Sequence, residues 1–150
     1  MNDEIRRKII EILDRHRNMT VATNRPDGWP QATTVGYANE GLTLYFLCGI
    51  GSQKAANLAH DDRVSLAIDD DTPQVMQITG VSIAAHAQPV TDHAEAEKAI
   101  AMLMARYPAQ EGVTFPVPKP EEVALFKVTP AVISLLDYTK GFAHTDLVTC

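Results

Sequence analysis

The sequence predicts a mainly β fold of the α+β class, in which an antiparallel sheet is flanked by helices. About six segments alternate apolar and polar residues, or are rich in aromatic and β-branched residues, as strands are. Most of these segments are joined by short, turn-rich links, and such links connect antiparallel strands. Helical patterns occupy three other places along the chain. A sheet of this size can close into a small barrel, which removes its edges.

Length and composition indicate one globular domain spanning 1–150. Of the 150 residues, 45% are hydrophobic and 21% are charged, as in soluble globular proteins. The net charge of −6 argues against a broad basic surface for nucleic acid. No apolar run reaches membrane-spanning length, and no targeting segment is expected. The two cysteines form neither a disulfide framework nor a zinc-binding CxxC pair, so we expect a reducing, cytoplasmic location.

The chain begins with a predicted helix and a first strand. Asn2 or Asp3 can cap the helix, because short polar side chains accept hydrogen bonds from the free N–H groups of a first turn. The β-prone run Met19–Thr23 follows the helix, and dense turn chemistry occupies Asn24–Gly28. The apolar stripe of the helix consists of Ile5, Ile9, Ile12 and Leu13.

Two further strands are predicted before the second helix. One runs from about Gln31 to Ala38, and the turn Asn39–Gly41 leads from it into Leu42–Cys48. The last of these segments is too short for a helix and rich in aromatic and branched residues, so it is expected to be a buried strand. A purely structural role in the sheet accounts for most residues of this hairpin.

The second helix is predicted to begin at a serine that follows a glycine turn. Gly49 and Gly51 bracket the turn, and Ser52 is a good N-cap for the helix-favouring residues after it. Free N–H groups and a partial positive charge at a helix start suit a phosphate, and Ser52 and Lys54 could complete the site. The alternative is that Ser52 only caps the helix and that Lys54 lies in solvent.

The middle of the chain predicts two strands and a third helix. Arg63–Ile68 alternates like a strand, and Gln74–Gln88 is a longer apolar strand with a bulge or bend at Gly80. Asp92 and Glu95 have the spacing of a capping box. The helix after them is expected to end at Pro108, with one apolar face formed by Ala96, Ala99, Ile100, Leu103 and Tyr107.

The end of the chain predicts a loop, two strands and a polar tail. The loop Ala109–Pro120 is rich in proline, and the strands Glu122–Val128 and Ala131–Leu136 are separated by Pro130. The tail Asp137–Asp146 is polar and aromatic.

No metal site or self-contained catalytic group is expected. The five histidines form no HxxxH or HExxH pair, and Asp69–Asp71 lacks the ligand spacing of a calcium loop. His144 lies among Lys140, Phe142 and Asp146, although a surface tail is the commoner explanation of such a cluster. If the protein is an enzyme, a cofactor should carry the reaction.

The order of three short motifs resembles that of a known superfamily. Ala22-Thr23 follows a helix, Gly28-Trp29-Pro30 forms a turn, and Ser52-Gln53-Lys54 begins the second helix. This order is similar to that of the flavin-binding split β-barrel superfamily that contains pyridoxamine 5′-phosphate oxidase. The resemblance covers nearly the whole chain, most specifically residues 19–68. It implies a six- to seven-stranded antiparallel split β-barrel with flanking helices.

The resemblance also implies a cofactor and an assembly. Members of the superfamily are usually homodimers that hold FMN non-covalently at the subunit interface. The residues that it assigns to FMN are Thr33, Thr34 and Val35 along the flavin, Leu47 and Cys48 at its border, Ser52, Gln53 and Lys54 at the phosphate, and Met76 and Gln77 from the partner chain.

The implied function is an oxidoreductase that passes hydride or electrons between a nicotinamide donor or small-molecule substrate and an acceptor. Thr33 and Gln53 stand where the oxidase itself carries arginines, so vitamin B6 oxidation is not expected. Lys140, Phe142 and His144 are candidates for the substrate side. Two alternatives stay open: a deazaflavin-dependent reductase on the same fold, and a non-catalytic flavin- or haem-binding protein.

Overall fold

The computed structural model describes residues 2–150 and contains the three predicted helices. Each begins at a polar side chain that accepts a hydrogen bond from a backbone N–H group of the first turn. Asn2 accepts from Glu4 at 2.8 Å, and Asp92 accepts from Glu95 at 2.8 Å, so these predicted caps are confirmed. The helices are α1 (Asp3–Arg15), α2 (Gln53–His60) and α3 (His93–Ala105).

The predicted mainly β split barrel is also confirmed. The strands are β1 (Asn18–Asn24), β2 (Pro30–Gly36), β3 (Ala38–Glu40), β4 (Thr43–Cys48), β5 (Arg63–Asp69), β6 (Thr79–Pro89), β7 (Ala124–Asp137) and β8 (Thr145–Thr149). Seven of them follow the order β2-β1-β5-β6-β7-β4-β3, and β8 pairs with the second half of β7. All neighbouring strands are antiparallel.

The predicted strand Gln31–Ala38 is wrong at Tyr37, where the chain leaves one edge of the sheet and enters the other. The residues before Tyr37 pair with β1, and those after it pair with β4. The Tyr37 N–H bonds to Arg17 O at 3.0 Å, and its fully buried hydroxyl donates to Leu13 O at 2.6 Å. These bonds hold the corner against the end of α1. The segment that bends at Tyr37 forms both edge strands, β2 and β3, and the sheet must therefore curl to bring its two edges together.

The last predicted strands differ from the observed ones around Pro130. A single strand, β7, replaces the two predicted segments, because the register shift in its pairing with β6 accommodates the proline. The long strand predicted over Gln74–Gln88 begins only at Thr79, after a short 3-10 helix. No strand is predicted in the tail, yet Thr145–Thr149 forms β8 on the open flank of β7.

The predicted end of α3 is also corrected. The helix ends at Ala105, and Tyr107 is 49% exposed instead of lying on the buried face. The other four residues of the predicted stripe are buried and pack with Tyr45 and Leu125 in a cluster separate from the barrel interior. None of the helices within residues 2–150 is long and apolar enough to cross a membrane.

Gly80 does not form a bulge, but the strand requires a residue without a side chain there. A Cβ atom at Gly80 would lie 2.9 Å from Ile68 O and 3.1 Å from the Asp69 Cβ on β5. We expect Gly80→Ala to lower the free energy of unfolding by about 2 kcal/mol, because backbone atoms would have to move. The control Gly51→Ala adds a methyl group where nothing lies within 4 Å, and chemical denaturation should show a change below about 0.5 kcal/mol. Equal losses in both variants would contradict this explanation.

Candidate functional site

The amino end of α2 presents free hydrogen-bond donors. Ser52 caps the helix as predicted: its Oγ accepts from the Ala55 N–H at 3.2 Å and donates to Gly49 O at 2.7 Å. Ser52 O accepts from the Ala56 N–H. No hydrogen bond within residues 2–150 uses the N–H of Gln53 or Lys54, the first two residues of the helix. These two donors, together with the helix dipole, can bind an anion.

Lys54 adds a charge that no carboxylate neutralises. Four other lysines form salt bridges, whereas none of the salt bridges among residues 2–150 includes Lys54. The first turn of α2 contains no acidic residue. Lys54 is half-buried and follows the cap residue Ser52 by two positions. In a chain of net charge −6, this end of α2 is therefore locally positive.

A buried asparagine, which the sequence reasoning missed, fixes α2 to the sheet. Asn57 is fully buried, and its Nδ2 donates to Thr23 Oγ1 at 2.9 Å and to Gln31 Oε1 at 3.1 Å. Gln53 Nε2 donates to Asn57 Oδ1 at 2.8 Å. The side chain of Gln53 is therefore engaged inside the helix, and it is the backbone N–H of Gln53 that is free to meet an anion. A polar residue four positions after Gln53, in an otherwise apolar helix stretch, was the available sequence signal.

Thr33 carries the one orphaned buried side-chain polar atom found within residues 2–150. Its Oγ1 is inaccessible to solvent and has no hydrogen-bond partner. Alternate residues of a strand share a face, so Thr33 lies on the face of β2 that holds Gln31 and Val35. Gln31 bonds to α2, and Val35 packs against the main core. Thr34 lies on the opposite face and is exposed.

The two predicted residues at the end of β4 lie on opposite faces of the strand. Cys48 packs against the main core, on the side of Val35. Leu47 packs with the cluster under α3. Their side chains therefore cannot contact the same face of a ligand.

Met76 and Gln77 lie in the exposed 3-10 helix Val75–Gln77, beside the tail. The Tyr138 N–H bonds to Ile78 O at 2.9 Å, and this bond holds the tail against the short helix. Phe142 packs edge-on against Tyr138 with ring centroids 5.3 Å apart, yet it is 75% exposed.

Within the tail, Asp146 joins two of the candidate substrate residues. Its Oδ2 lies 3.2 Å from His144 Nε2 and 3.4 Å from Lys140 Nζ. Desolvation acts to raise the pKa of the Asp146 carboxyl, but hydrogen bonds from His144 and Lys140 outweigh it and leave that pKa below its usual value. The carboxylate therefore stays charged and orients the side chains of both His144 and Lys140.

The predicted residues near α2 and those near the tail lie far apart within one chain. Thr23 of β1 bonds to α2. Because β1 pairs with β5 and β5 pairs with β6, Thr23 lies at the same height in the sheet as Ala85 of β6. The short helix with Met76 and the tail meet β6 at Thr79, six residues away. At roughly 3.3 Å per residue, this separation is about 20 Å along the sheet. The structure thus brings Thr33 close to α2, and Met76 close to the tail, but does not join the two groups.

A separate cavity of about 390 Å³ lies on the outer face of β1, β5 and β6. Its floor consists of small side chains, and Arg63 and His86 line it. Arg63 pairs with Asp61, the C-cap of α2, and its hydrogen bonds hold the pKa of that carboxyl far below the usual value. Among the described residues, no group of three or more His, Cys, Asp and Glu side chains could hold a metal ion.

Comparisons with known proteins agree on the fold. A family model described as pyridoxamine 5′-phosphate oxidase matches residues 5–137. No curated protein matches the sequence. The chain is similar to a conserved hypothetical protein from Mycobacterium tuberculosis, with 25% identity over 97% of this chain and 91% of that one and a TM-score of 0.76.

Two further solved structures share the fold. One is General Stress Protein 26 from Bacillus anthracis, with 16% identity over 98% of this chain and 99% of that one and a TM-score of 0.70. The other is a heme binding protein from Mycobacterium smegmatis, with 20% identity over 96% of this chain and 56% of that one and a TM-score of 0.74.

Proposed function

Because this chain belongs to the pyridoxamine 5′-phosphate oxidase family, we propose that it is an oxidoreductase that holds FMN non-covalently. Bound FMN would supply hydride and electron transfer between a nicotinamide donor or a small-molecule substrate and an acceptor. The protein would bind the phosphate, orient the ring and shape the cavity. A cytoplasmic setting stays a prediction, supported by the free thiols Cys48 and Cys150.

The observation that carries this proposal is the amino end of α2. Two free backbone N–H groups, a cap hydroxyl and a lysine without a carboxylate partner point to an anion with several acceptor oxygens, as a phosphate monoester has. The Ser52 hydroxyl would exchange its bond to Gly49 O for one to the phosphate.

The orphaned hydroxyl of Thr33 fits the same cofactor. A buried hydroxyl without a partner destabilises the ligand-free fold, and the polar edge or ribityl chain of a flavin could supply the missing hydrogen bond. Thr33 lies on the face of β2 that bonds to α2 through Gln31. The chemistry of the residues present is therefore compatible with FMN.

Thr33→Val should stabilise the ligand-free protein and weaken FMN binding together. Valine has the same shape and removes the unpaired hydroxyl, so we expect about 1 kcal/mol more stability in denaturant unfolding. The dissociation constant of FMN should rise about fivefold, the equivalent of about 1 kcal/mol. The control Thr149→Val changes an exposed threonine at the end of β8, outside the residues assigned to FMN, and should leave the affinity unchanged. If Thr33→Val bound FMN with unchanged affinity, Thr33 would not be a contact of the cofactor.

The proposed assembly is a homodimer with the cofactors at the interface. Met76 and Gln77 lie about 20 Å along the sheet from the level of α2, a separation that favours their approach to its ligand from a second chain. Lys140, Phe142 and His144 belong to the tail that bonds to the end of the short helix with Met76, so as substrate-side residues they too would approach from the second chain. Sedimentation equilibrium should give twice the 16.4 kDa of one chain; a monomer that binds FMN at full affinity would exclude this arrangement.

Anaerobic titration tests the proposed activity. FMN, riboflavin, a deazaflavin and haem would each be added to the purified protein, and the FMN complex would then be mixed with NADH or NADPH. We expect FMN to bind more tightly than the other three and a nicotinamide to bleach it. If the deazaflavin or haem bound more tightly than FMN, that ligand would be assigned as the cofactor instead of FMN. An FMN complex that neither nicotinamide reduces would favour a binding protein or another donor.

A further inference from the structure

Asn57 stands out because α2 is short and weakly anchored. The helix has eight residues, and only Asn57 and Leu58 are buried. Isolated helices of this length are unstable, so tertiary contacts must hold it in place. One of its two buried contacts is therefore polar and directional.

The hydrogen bonds of Asn57 reach two different strands. Its Nδ2 group donates to Thr23 on β1 and to Gln31 on β2, at 2.9 and 3.1 Å. Its Oδ1 accepts from Gln53 in the first turn of α2. An apolar contact such as that of Leu58 would allow the helix to rotate or slide, whereas the two bonds to β1 and β2 specify its orientation on the sheet.

The same bonds connect the helix start with the orphaned hydroxyl. Gln31 lies two residues before Thr33 on the same face of β2, roughly 7 Å along the strand. Gln53 belongs to the turn whose free N–H groups point outward. Asn57 thereby sets the position of the donors at α2 relative to Thr33.

We propose that Asn57 is a positioning residue that sets the affinity for the phosphate of the cofactor without touching it. This inference rests on the proposed function. Because a displaced helix would misplace its N–H donors, loss of Asn57 should weaken the phosphate contacts more than the ring contacts.

The ratio of the dissociation constants of riboflavin and FMN measures the phosphate contribution, because the two ligands differ only in that group. We expect Asn57→Leu to lower this ratio at least tenfold while the riboflavin constant changes less than threefold. Thr23→Val, which removes one acceptor of Asn57 and folds more readily, should lower the ratio about threefold. Wild-type ratios in both variants would overturn the proposal.

Two controls separate positioning from general destabilisation. Thr23→Ser keeps the hydroxyl and should restore the wild-type ratio. Ile133→Val removes a methyl group from the fully buried core of β7 and should lower stability without changing the ratio. An equal fall of the ratio in Ile133→Val would assign the effect to stability alone.

Hydrogen exchange of the ligand-free chain tests the inference if the proposed function fails. In Thr23→Val and Asn57→Leu, amides of α2 should exchange at least tenfold faster relative to amides of β6 than in wild type. Unchanged relative exchange would reject the positioning role whether or not FMN binds. A wild-type protein that shows no preference for FMN over riboflavin would instead reject the phosphate site.

Discussion

Replacing Lys54 with alanine should weaken FMN binding about 10- to 100-fold. A charge-assisted hydrogen bond to a phosphate is worth about 1.5–3 kcal/mol, and no carboxylate among residues 2–150 forms a salt bridge with Lys54 that would compete for its ammonium. Riboflavin lacks the phosphate, so its affinity should change less than twofold. Fluorescence titration with both ligands measures the two effects.

The matched control for this prediction is Lys119→Ala. Lys119 is an exposed lysine in the loop before β7, far along the chain from α2. Its removal changes the net charge by the same amount, so any general electrostatic effect should appear in both variants. If Lys54→Ala kept full affinity for FMN, or lost as much affinity for riboflavin, the phosphate assignment would be wrong.

Arg106→Leu should lower the free energy of unfolding by about 3 kcal/mol, the largest stability change expected for a single side chain outside the barrel core. One guanidinium nitrogen donates to Leu13 O at 3.1 Å and to His16 O at 2.7 Å, and the other contacts Asn39. The guanidinium also lies 5.3 Å from the centroid of the Tyr37 ring. Because terminal carbonyls of a helix lack partners within it, the substitution would remove the donor to His16 O and to Asn39 Oδ1, and would leave Leu13 O with the Tyr37 hydroxyl.

Two variants test this account of Arg106. Arg7→Leu removes an arginine that is 69% exposed and has only a 3.8 Å contact with Glu11, so chemical denaturation should show a change below about 0.5 kcal/mol. Arg106→Lys keeps the charge but loses the fork of donors, so its stability should lie between those of wild type and Arg106→Leu. Equal stability of Arg106→Leu and Arg7→Leu would show that the end of α1 needs no such anchor.

The elements that local chemistry dictates were predictable. Caps depend on residues a few positions apart, so the starts of all three helices followed from short polar side chains. The hairpin around Gly41 followed in the same way from its turn residues. The N-cap at Ser52 was predictable for this reason too, whereas an anion site there stays a prediction.

Features that depend on distant contacts were not predictable. The corner at Tyr37 exists because Leu13 O of α1 accepts from its hydroxyl and Arg17 O, two residues after α1, accepts from its N–H. Pro130 stays inside β7 because a register shift against β6 accommodates it. Asn57 resembles an ordinary helix residue until the fold places β1 and β2 beside it.

The absorbance spectrum of the purified protein, with the mass of its released cofactor, tests the central claim most directly. We expect the visible bands of an oxidised flavin and the mass of FMN, in a ratio of one FMN per chain. A colourless protein that does not bind added FMN would contradict this claim and leave only the family and the fold. A haem spectrum or a deazaflavin mass would also contradict it, and would assign the pocket to a different cofactor.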